Sequence, residues 1–296
     1  MQQKSLISGL LVLAASLWGL YWWPLRYAED AGMHAIWAIA LLNGIPVPAF
    51  ALYTFVQRAS LRGRWRIACI SGALVGLAML LYGLSLMYTG VVRATMLFYL
   101  TPVWGTLIGW LWLGEVIYRR RWVAIAIGFA GLAVLLSGSD DTALIFGQGE
   151  LFALTSGVAW AFATACLARE PSLPVHGAVT LQFGFSTVFA FVAAGVMGAD
   201  LPSVDAMAHG IAVISSAALL VVAPSVFFCL WCAQRLPPGR VGLLMMSEVV
   251  VAVLSAAWLI PDEVLSLAEW LGASLIVGAA LVEVSTATHY DTRDPS

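Results

Sequence analysis

The chain has few charged side chains for its length. Only 10% of its 296 residues are charged and 61% are hydrophobic, whereas soluble domains carry about 25% charged residues. The net charge of −2 gives no basis for binding nucleic acid. This composition excludes an ordinary soluble domain and favours a protein embedded in a lipid bilayer.

Motifs that would couple the chain to ATP or to catalysis are missing. No Gly-x-x-x-x-Gly-Lys-Ser/Thr phosphate loop occurs, which excludes ATP hydrolysis on this chain. No His-Glu-x-x-His motif occurs, and the four histidines lie in predicted loops or near the termini: His34, His176, His209 and His289. An intramembrane enzyme would need a paired nucleophile and base or a metal cluster. We therefore expect no enzyme activity, no cofactor and no bound metal.

Cysteine is also scarce. The four cysteines lie inside apolar runs: Cys69, Cys166, Cys229 and Cys232. The spacing of Cys229 and Cys232 resembles half of a zinc site, but the chain has no second pair of Cys or His with matching spacing. We interpret these cysteines as small apolar residues on helices.

Long apolar runs dominate the sequence. A helix needs about 20 apolar residues to cross the hydrocarbon layer. Ten runs of suitable length occur, at about residues 6–24, 33–56, 66–88, 91–113, 121–138, 148–168, 177–198, 208–232, 240–260 and 267–285. They predict an all-α integral membrane protein of ten transmembrane helices.

The sequence repeats at a separation of half its length. Leu-Trp-Leu-Gly-Glu at 111–115 is matched by Trp-Leu-Ile-Pro-Asp-Glu at 258–263, so Glu115 and Glu263 are 263 − 115 = 148 residues apart. Trp122 and Trp270 have the same separation. Five spans in each half would give the two copies opposite orientations, which is typical of secondary transporters. We predict two inverted five-helix repeats around a central cavity, at 1–146 and 147–285, followed by a cytoplasmic tail at 286–296.

The basic residues predict the orientation. If the N-terminus is cytoplasmic, twelve of the fourteen Lys and Arg residues lie on the cytoplasmic side, and only Arg26 and Arg93 lie toward the other face. The positive-inside rule therefore predicts that both termini are cytoplasmic. We interpret Arg93 mainly as a residue that reaches the interface, with attraction of a substrate carboxylate as the alternative.

The segment from Phe98 to Glu115, followed by Trp122 and glycines at 128 and 131, resembles the repeat unit of the drug/metabolite transporter superfamily, the EamA-type exporters. The copy at 246–263 is similar but has Val250 where the first has Pro102. Within this superfamily the chain most resembles the aromatic amino acid exporters of bacterial inner membranes. The resemblance implies a multi-pass protein of the bacterial plasma membrane. We interpret Glu115 and Glu263, which match the motif at span ends, as structural.

Glu248 is the one acidic residue that the sequence predicts deep inside a span. A charge at the bilayer centre costs at least about 2.5–3.5 kcal/mol. Glu248 is therefore interpreted either as a carboxylate that takes up a proton or a substrate amine, or as a buried structural acid bonded to neighbours such as Ser247.

Aromatic side chains are abundant, with 13 Trp in the chain. Six of them lie at span ends and are interpreted as interfacial anchors: Trp22, Trp23, Trp65, Trp112, Trp122 and Trp270. Others lie deeper: Trp18, Tyr82, Tyr99, Trp104, Trp160, Phe183, Phe228 and Trp231. Some of these rings could line a cavity that binds apolar or aromatic solutes and holds an amino group by cation–π contact, although any single ring could equally serve helix packing.

Prolines and glycines mark further positions. Pro102 and Pro224 are predicted inside helices, where each would remove a backbone hydrogen bond and form a hinge or a polar patch. Gly72-x-x-x-Gly76 and Gly105-x-x-x-Gly109 are predicted to allow close helix packing. The predicted substrate-cavity residues are Trp18, Tyr82, Tyr99, Pro102, Trp160, Pro224, Phe228 and Glu248.

These observations predict a secondary transporter that exports small hydrophobic metabolites by alternating access, with aromatic amino acids as the leading substrates. A multidrug exporter of lipophilic cations that uses Glu248 is the alternative, and an intramembrane enzyme or a scaffold is less favoured. The expected partners are a small-molecule substrate and the lipid bilayer. A monomer of ten spans could work alone, and the oligomeric state is left open.

Overall fold

The computed structural model describes residues 2–114, 119–137, 147–170, 172–236, 241, 244–259 and 265–290, and these parts are helices joined by short connections. We number the helices α1 (Gln2–Trp18), α2 (Trp22–Asp30), α3 (Ala35–Gly44), α4 (Val47–Val56), α5 (Trp65–Tyr88), α6 (Val91–Phe98), α7 (Thr101–Leu113), α8 (Arg119–Ser137), α9 (Gln148–Arg169), α10 (Val175–Met197), α11 (Val204–Ala217), α12 (Ala223–Ala233), α13 (Ser247–Leu259) and α14 (Leu267–Tyr290). Glu115 and Glu263 lie outside the described residues.

Seven helical stretches within the described residues are long and apolar enough to cross a membrane: Leu6–Asp30, Ala35–Val56, Trp65–Tyr88, Arg93–Leu113, Gln148–Arg169, Val175–Met197 and Val204–Ala233. Each overlaps a predicted run. Helices also occupy the other three predicted positions, as α8, α13 and α14. The described residues are therefore helical throughout, apart from short connections, and are consistent with an integral membrane protein.

Several of these stretches are interrupted. The backbone turns at residues 19–21, between α1 and α2, at 99–100, between α6 and α7, and at 245–246, just before α13. A π-helical turn at Ala218–Val222 precedes α12. Irregular backbone of this kind is tolerated at membrane depth where neighbouring helices satisfy it, and α5, α9 and α10 are continuous.

Pro102 lies at the start of a helix, whereas Pro224 lies within the continuous helical stretch Val204–Ala233, directly after its π-helical turn. Pro102 is in the first turn of α7 and Pro224 is in the first turn of α12. At Pro102 no intrahelical bond is lost, because the missing N–H would have had no partner in the first turn after the interruption at 99–100. The prediction of a mid-helix position is therefore wrong for Pro102. It is confirmed for Pro224, which lies inside a continuous helix after a π-helical turn.

Two glycines allow α5 and α10 to pack backbone against backbone. A Cβ at Gly72 would lie 3.0 Å from the Gln182 backbone nitrogen, and a Cβ at Gly76 would lie 2.8 Å from that of Ser186. This confirms the packing role predicted for the pair. Gly105 differs, since a Cβ there would meet nothing within 4 Å.

Contacts between helix ends define one end of the bundle, which we call the arginine end. The Arg64 side chain lies 3.7 Å from the Glu170 carboxylate, and Gln234 donates a hydrogen bond to the Leu173 carbonyl. Four arginines stack over rings at this end, in the pairs Arg58–Phe55, Arg66–Trp65, Arg169–Trp112 and Arg235–Trp231.

At the opposite end, the Trp37 indole donates a 2.7 Å hydrogen bond to the Asp200 carbonyl. The α8 and α14 helices pack mainly against each other and touch the rest of the described bundle only lightly, at α6 and α7.

Candidate functional site

Glu248 lies in the first turn of α13, directly after the interruption at 245–246, and is fully buried. The turn that follows α1 lies close to Glu248. A Cβ added at Gly19 would lie only 2.7 Å from the Glu248 carbonyl oxygen. Ser247, the neighbour suggested by the sequence, bonds instead to the Val12 and Leu244 carbonyls. Among the described residues Glu248 forms no ion pair.

Tyr99 connects the two interrupted segments. It lies at the turn between α6 and α7, and its hydroxyl contacts both the Met245 carbonyl, at 2.7 Å, and the Glu248 Oε2. The second carboxyl oxygen, Oε1, has no hydrogen-bond partner among the described residues. The interruption of one segment is therefore joined to that of the other through a single phenol.

Buried rings extend from this contact in a continuous series. Trp18 stacks on Tyr21 with ring centroids 4.5 Å apart, and Tyr21 lies 6.1 Å from Tyr82. The Phe98 ring lies 5.1 Å from Tyr82, 5.4 Å from Tyr99 and 6.4 Å from Trp160. We call these six rings and Glu248 the central cluster: Trp18, Tyr21, Tyr82, Phe98, Tyr99, Trp160 and Glu248.

The α9 helix supports the central cluster from the other side. A Cβ at Gly157 would lie 2.9 Å from the Phe98 carbonyl and 3.1 Å from the Thr101 hydroxyl, so this glycine lets α9 approach the α6–α7 turn. Trp160 follows on the same helix. Pro102 is beside this contact, one residue after Thr101, and contributes to the turn rather than to the ring series.

Phe228 belongs to a different aromatic group. Its ring lies 5.3 Å from Phe227, which contacts Phe50 at 6.2 Å, and Phe50 contacts Phe183 at 5.6 Å. The next residue, Cys229, is close enough to Glu248 to interact with it electrostatically. Of the eight predicted residues, the structure brings together Trp18, Tyr82, Tyr99, Trp160 and Glu248, whereas Phe228, Pro102 and Pro224 lie outside the ring series.

The comparisons with known proteins agree with this architecture. Residues 6–137 match the EamA-like transporter family. The match covers the first of the two predicted repeats. The chain is 30% identical over 190 residues to the "Uncharacterized transporter YvbV" of Bacillus subtilis (strain 168), an alignment that covers 62% of this chain and 61% of that protein.

It is also 26% identical over 285 residues to "Protein RarD" of Streptomyces exfoliatus, covering 91% of this chain and 85% of that one. A solved crystal structure superposes on this chain with a TM-score of 0.63 at 18% identity, covering 98% of this chain and 99% of that one. At this identity the likeness shows the fold alone.

Two residues of the central cluster were missed by the sequence reasoning. Tyr21 and Phe98 are buried rings that bridge the predicted ones. Phe98 is the first residue of the segment from Phe98 to Glu115 that resembles the transporter repeat. Its place in that segment could have identified it. Tyr21 stands beside Trp22 and Trp23 and was hidden by the interpretation of this stretch as interfacial.

The structure corrects the prediction made for Trp22. It is buried, and its indole donates a 3.0 Å hydrogen bond to the Ser255 hydroxyl. Its predicted role as an interfacial anchor is wrong, because a partner on α13 satisfies the indole inside the bundle. The other five predicted anchors are exposed.

Arg93 and Glu150 form an ion pair between α6 and α9. The Arg93 guanidinium lies 3.2 Å from the Glu150 carboxylate, which also accepts a hydrogen bond from Thr89. Glu150 is only 6% exposed, so Glu248 is not alone among buried acids. The structure pairs the Arg93 charge with a neighbouring helix, and its position relative to the interface stays a prediction. Among the described residues no group of three or more His, Cys, Asp and Glu could hold a metal ion.

Proposed function

We propose that the chain is a secondary exporter of small hydrophobic metabolites, with aromatic amino acids as the leading class. The observation that carries this proposal is the central cluster, in which a continuous series of buried rings ends at a buried carboxyl. Rings bind an aromatic solute by stacking, and a carboxylate or a ring face attracts an amino group. In this conformation the rings pack against one another, so substrate entry requires them to separate.

The proposed architecture is ten spans in two inverted repeats. The interruption at Tyr99 and the one at Met246 support it, because 99 + 148 = 247 falls directly beside the second interruption. Discontinuous helices in corresponding positions of two halves are typical of secondary transporters and mark the binding region. Alternating access would then consist of one half exposing the central cluster to one side of the membrane and the other half to the opposite side.

The proposed orientation has both termini and the arginine end in the cytoplasm of a bacterium, with the protein in the inner membrane. Stacked arginine–ring pairs suit an interface where rings lie at headgroup depth and basic residues face inward. Export from the cytoplasm fits a cluster that can open at that end.

A multidrug exporter of lipophilic cations is the second candidate, favoured by one observation. No arginine or lysine belongs to the central cluster, and Arg93 in α6 is paired with Glu150. An amino acid carries a carboxylate that needs donors in such a site, whereas a cation with a ring needs only the rings and Glu248.

Two solutes with the same ring separate these candidates. Purified protein would be reconstituted in liposomes, and flux of labelled L-phenylalanine would be compared with that of phenethylamine, which lacks the carboxylate. Flux of phenylalanine and tryptophan above empty liposomes supports the amino acid exporter. Flux of phenethylamine alone supports the cation exporter, and no flux of any solute contradicts the transport proposal.

A further inference from the structure

Four buried polar side chains lie beside the central cluster. Asn43 is on α3, Gln182 and Ser186 are one turn apart on the same face of α10, and Tyr21 is at the turn between α1 and α2. All four are at most 1% exposed. The Gln182 amide donates a 3.3 Å hydrogen bond to the Asn43 side chain, and the Tyr21 hydroxyl faces the Asn43 amide without a hydrogen bond of good geometry. We call these four side chains the polar cluster.

The polar cluster lies at the middle of the membrane segments. Asn43, Gly76 and Ser186 are each near the centre of one of the stretches long enough to cross a membrane. Gly76 brings α5 against α10 at this level, since a Cβ there would lie 3.0 Å from the Gln182 carbonyl oxygen. An unpaired polar group is costly at this depth, because no bulk water replaces a missing partner. Substrate sites of secondary transporters lie near the same plane.

Three atoms of the polar cluster have no hydrogen-bond partner among the described residues: the Tyr21 hydroxyl, Gln182 Oε1 and the Ser186 hydroxyl. The hydroxyl of the next residue, Thr187, differs, because it donates a 2.7 Å bond to the Phe183 carbonyl of its own helix. Buried polar groups in folded proteins nearly always have partners. Three unpaired atoms in one cluster therefore indicate a place where a bound molecule supplies the missing hydrogen bonds.

Asn43 determines which kind of atom the polar cluster offers. Its amide nitrogen donates a 2.9 Å bond to the Ile39 carbonyl, so its oxygen is the atom that accepts from Gln182. The Gln182 nitrogen is thereby fixed as the donor of that bond, and Gln182 Oε1 is left as an atom that can only accept. The hydroxyls of Tyr21 and Ser186 can donate or accept. A ligand must therefore bring an N–H or O–H to Gln182.

The donor that fits this position is uncharged. Among the described residues no charged side chain bonds to any member of the polar cluster. A buried charge without a partner of opposite sign is far more costly than a neutral polar group. The ring series also reaches this point, because the Tyr21 ring stacks on Trp18 while its hydroxyl belongs to the polar cluster. A neutral donor at the edge of an aromatic ring meets both conditions.

We propose that the polar cluster is a specificity subsite for a neutral donor carried on the substrate's ring, either a phenol O–H or an indole N–H. The inference rests on the transport of aromatic solutes proposed above and narrows their class. The substrate ring stacks beside Tyr21, and its donor bonds to Gln182 Oε1. A phenol also accepts from the Tyr21 or Ser186 hydroxyl. A plain phenyl ring enters the same position but leaves the Gln182 oxygen unpaired.

Pairs of solutes that differ only in a ring hydroxyl test the subsite. In liposomes containing the full chain, kcat/KM for L-tyrosine should exceed that for L-phenylalanine by about tenfold or more, because a missing hydrogen bond to a buried acceptor weakens binding to this extent. Tyramine should exceed phenethylamine by a similar factor, so the test also holds if the protein exports amines. Equal values within both pairs overturn the proposal.

Variants on α10 assign the preference to the polar cluster. Gln182→Leu should bring the ratio of tyrosine to phenylalanine flux to about one by lowering tyrosine flux alone, and Ser186→Ala should lower the ratio in part. Thr187→Val is the matched control, since it removes a hydroxyl that bonds within its own helix. Retained phenylalanine flux shows that a variant is folded. A preference that survives in such a folded Gln182→Leu protein overturns the proposal, and if that variant loses all flux, Ser186→Ala decides.

Equilibrium binding separates the subsite from the transport function. Labelled solutes of both pairs would be bound to the purified full chain in detergent, where no transport is needed. Preference for the hydroxylated solutes without flux supports the subsite and contradicts the transport function. Flux without such a preference overturns the subsite and leaves the transport function standing. Absence of both preference and flux overturns both.

Discussion

At the scale of single residues, the molecule depends on a few polar groups buried among rings. Glu248 could be selected from the sequence because a carboxylate in a long apolar run is costly. Its partner Tyr99 was selected as an inner ring, but their pairing was not predictable, because the two residues are 149 positions apart. A buried charged residue can be recognised from the sequence more readily than the distant residue that forms its hydrogen bond.

Tyr99 and Tyr82 provide a matched pair of substitutions. Tyr99→Phe removes the hydroxyl that bonds to the buried Glu248 carboxyl, whose other oxygen has no partner among the described residues, and we expect a loss of about 1–3 kcal/mol in the free energy of unfolding. Tyr82→Phe deprives only the Thr95 hydroxyl of its partner, and that hydroxyl can bond to a backbone carbonyl of its own helix. The loss in the free energy of unfolding should therefore be about 0.5–1.5 kcal/mol. Equilibrium unfolding in detergent measures both, and equal losses would contradict the special role of Tyr99.

At the scale of helices, the sequence predicted where they lie better than where they are interrupted. Apolar runs located all ten helical positions, since hydrophobicity over about 20 residues is a strong signal. The turns at 99–100 and 245–246 could not be seen, because one irregular turn changes neither the length nor the apolarity of a run. Pro102 pointed to the right segment but implied the wrong local geometry.

Close helix packing gives a second prediction. Gly76→Ala should destabilise the protein by about 1–3 kcal/mol, because the new methyl would overpack the backbone of α10 at Ser186. Gly105→Ala is the control, since a methyl there meets nothing and alanine is the better helix former. Thermal unfolding should therefore show a clear drop in melting temperature for Gly76→Ala and little change or a rise for Gly105→Ala. A Gly76→Ala protein as stable as the native one would show that α5 and α10 can separate freely.

At the scale of the whole molecule, charge is sorted between the two ends. The arginine end carries Arg62, and the other end carries Asp30, both exposed. With the proposed orientation, a thiol at Arg62→Cys should react with a membrane-impermeant maleimide only in inverted vesicles, and a thiol at Asp30→Cys only in intact cells. The reverse pattern would invert the direction of transport proposed for the central cluster.

The ion pair between Arg93 and Glu150 joins residues from the two predicted halves. Its side chains are 24% and 8% exposed, against 39% and 32% for Arg26 and Glu29. Removing one partner of a well-buried pair costs about 3–5 kcal/mol, whereas an exposed pair contributes about 0–1 kcal/mol. We expect Glu150→Ala to lower the free energy of unfolding by more than Glu29→Ala, though by less than the fully buried figure. The double substitution Arg93→Ala/Glu150→Ala should recover part of that loss.

The loose attachment of α8 and α14 has a consequence for the membrane around the protein. These helices pack chiefly against each other, and their Trp122 and Trp270 side chains are exposed. A helix longer or shorter than the hydrocarbon layer tilts to match it, at a cost set by its neighbours. Since few neighbours restrain this pair, a thinner or thicker bilayer should tilt α8 and α14 first. Hydrophobic mismatch would therefore be absorbed at the edge of the molecule. The contact between Tyr99 and Glu248 would keep its geometry in bilayers of different thickness.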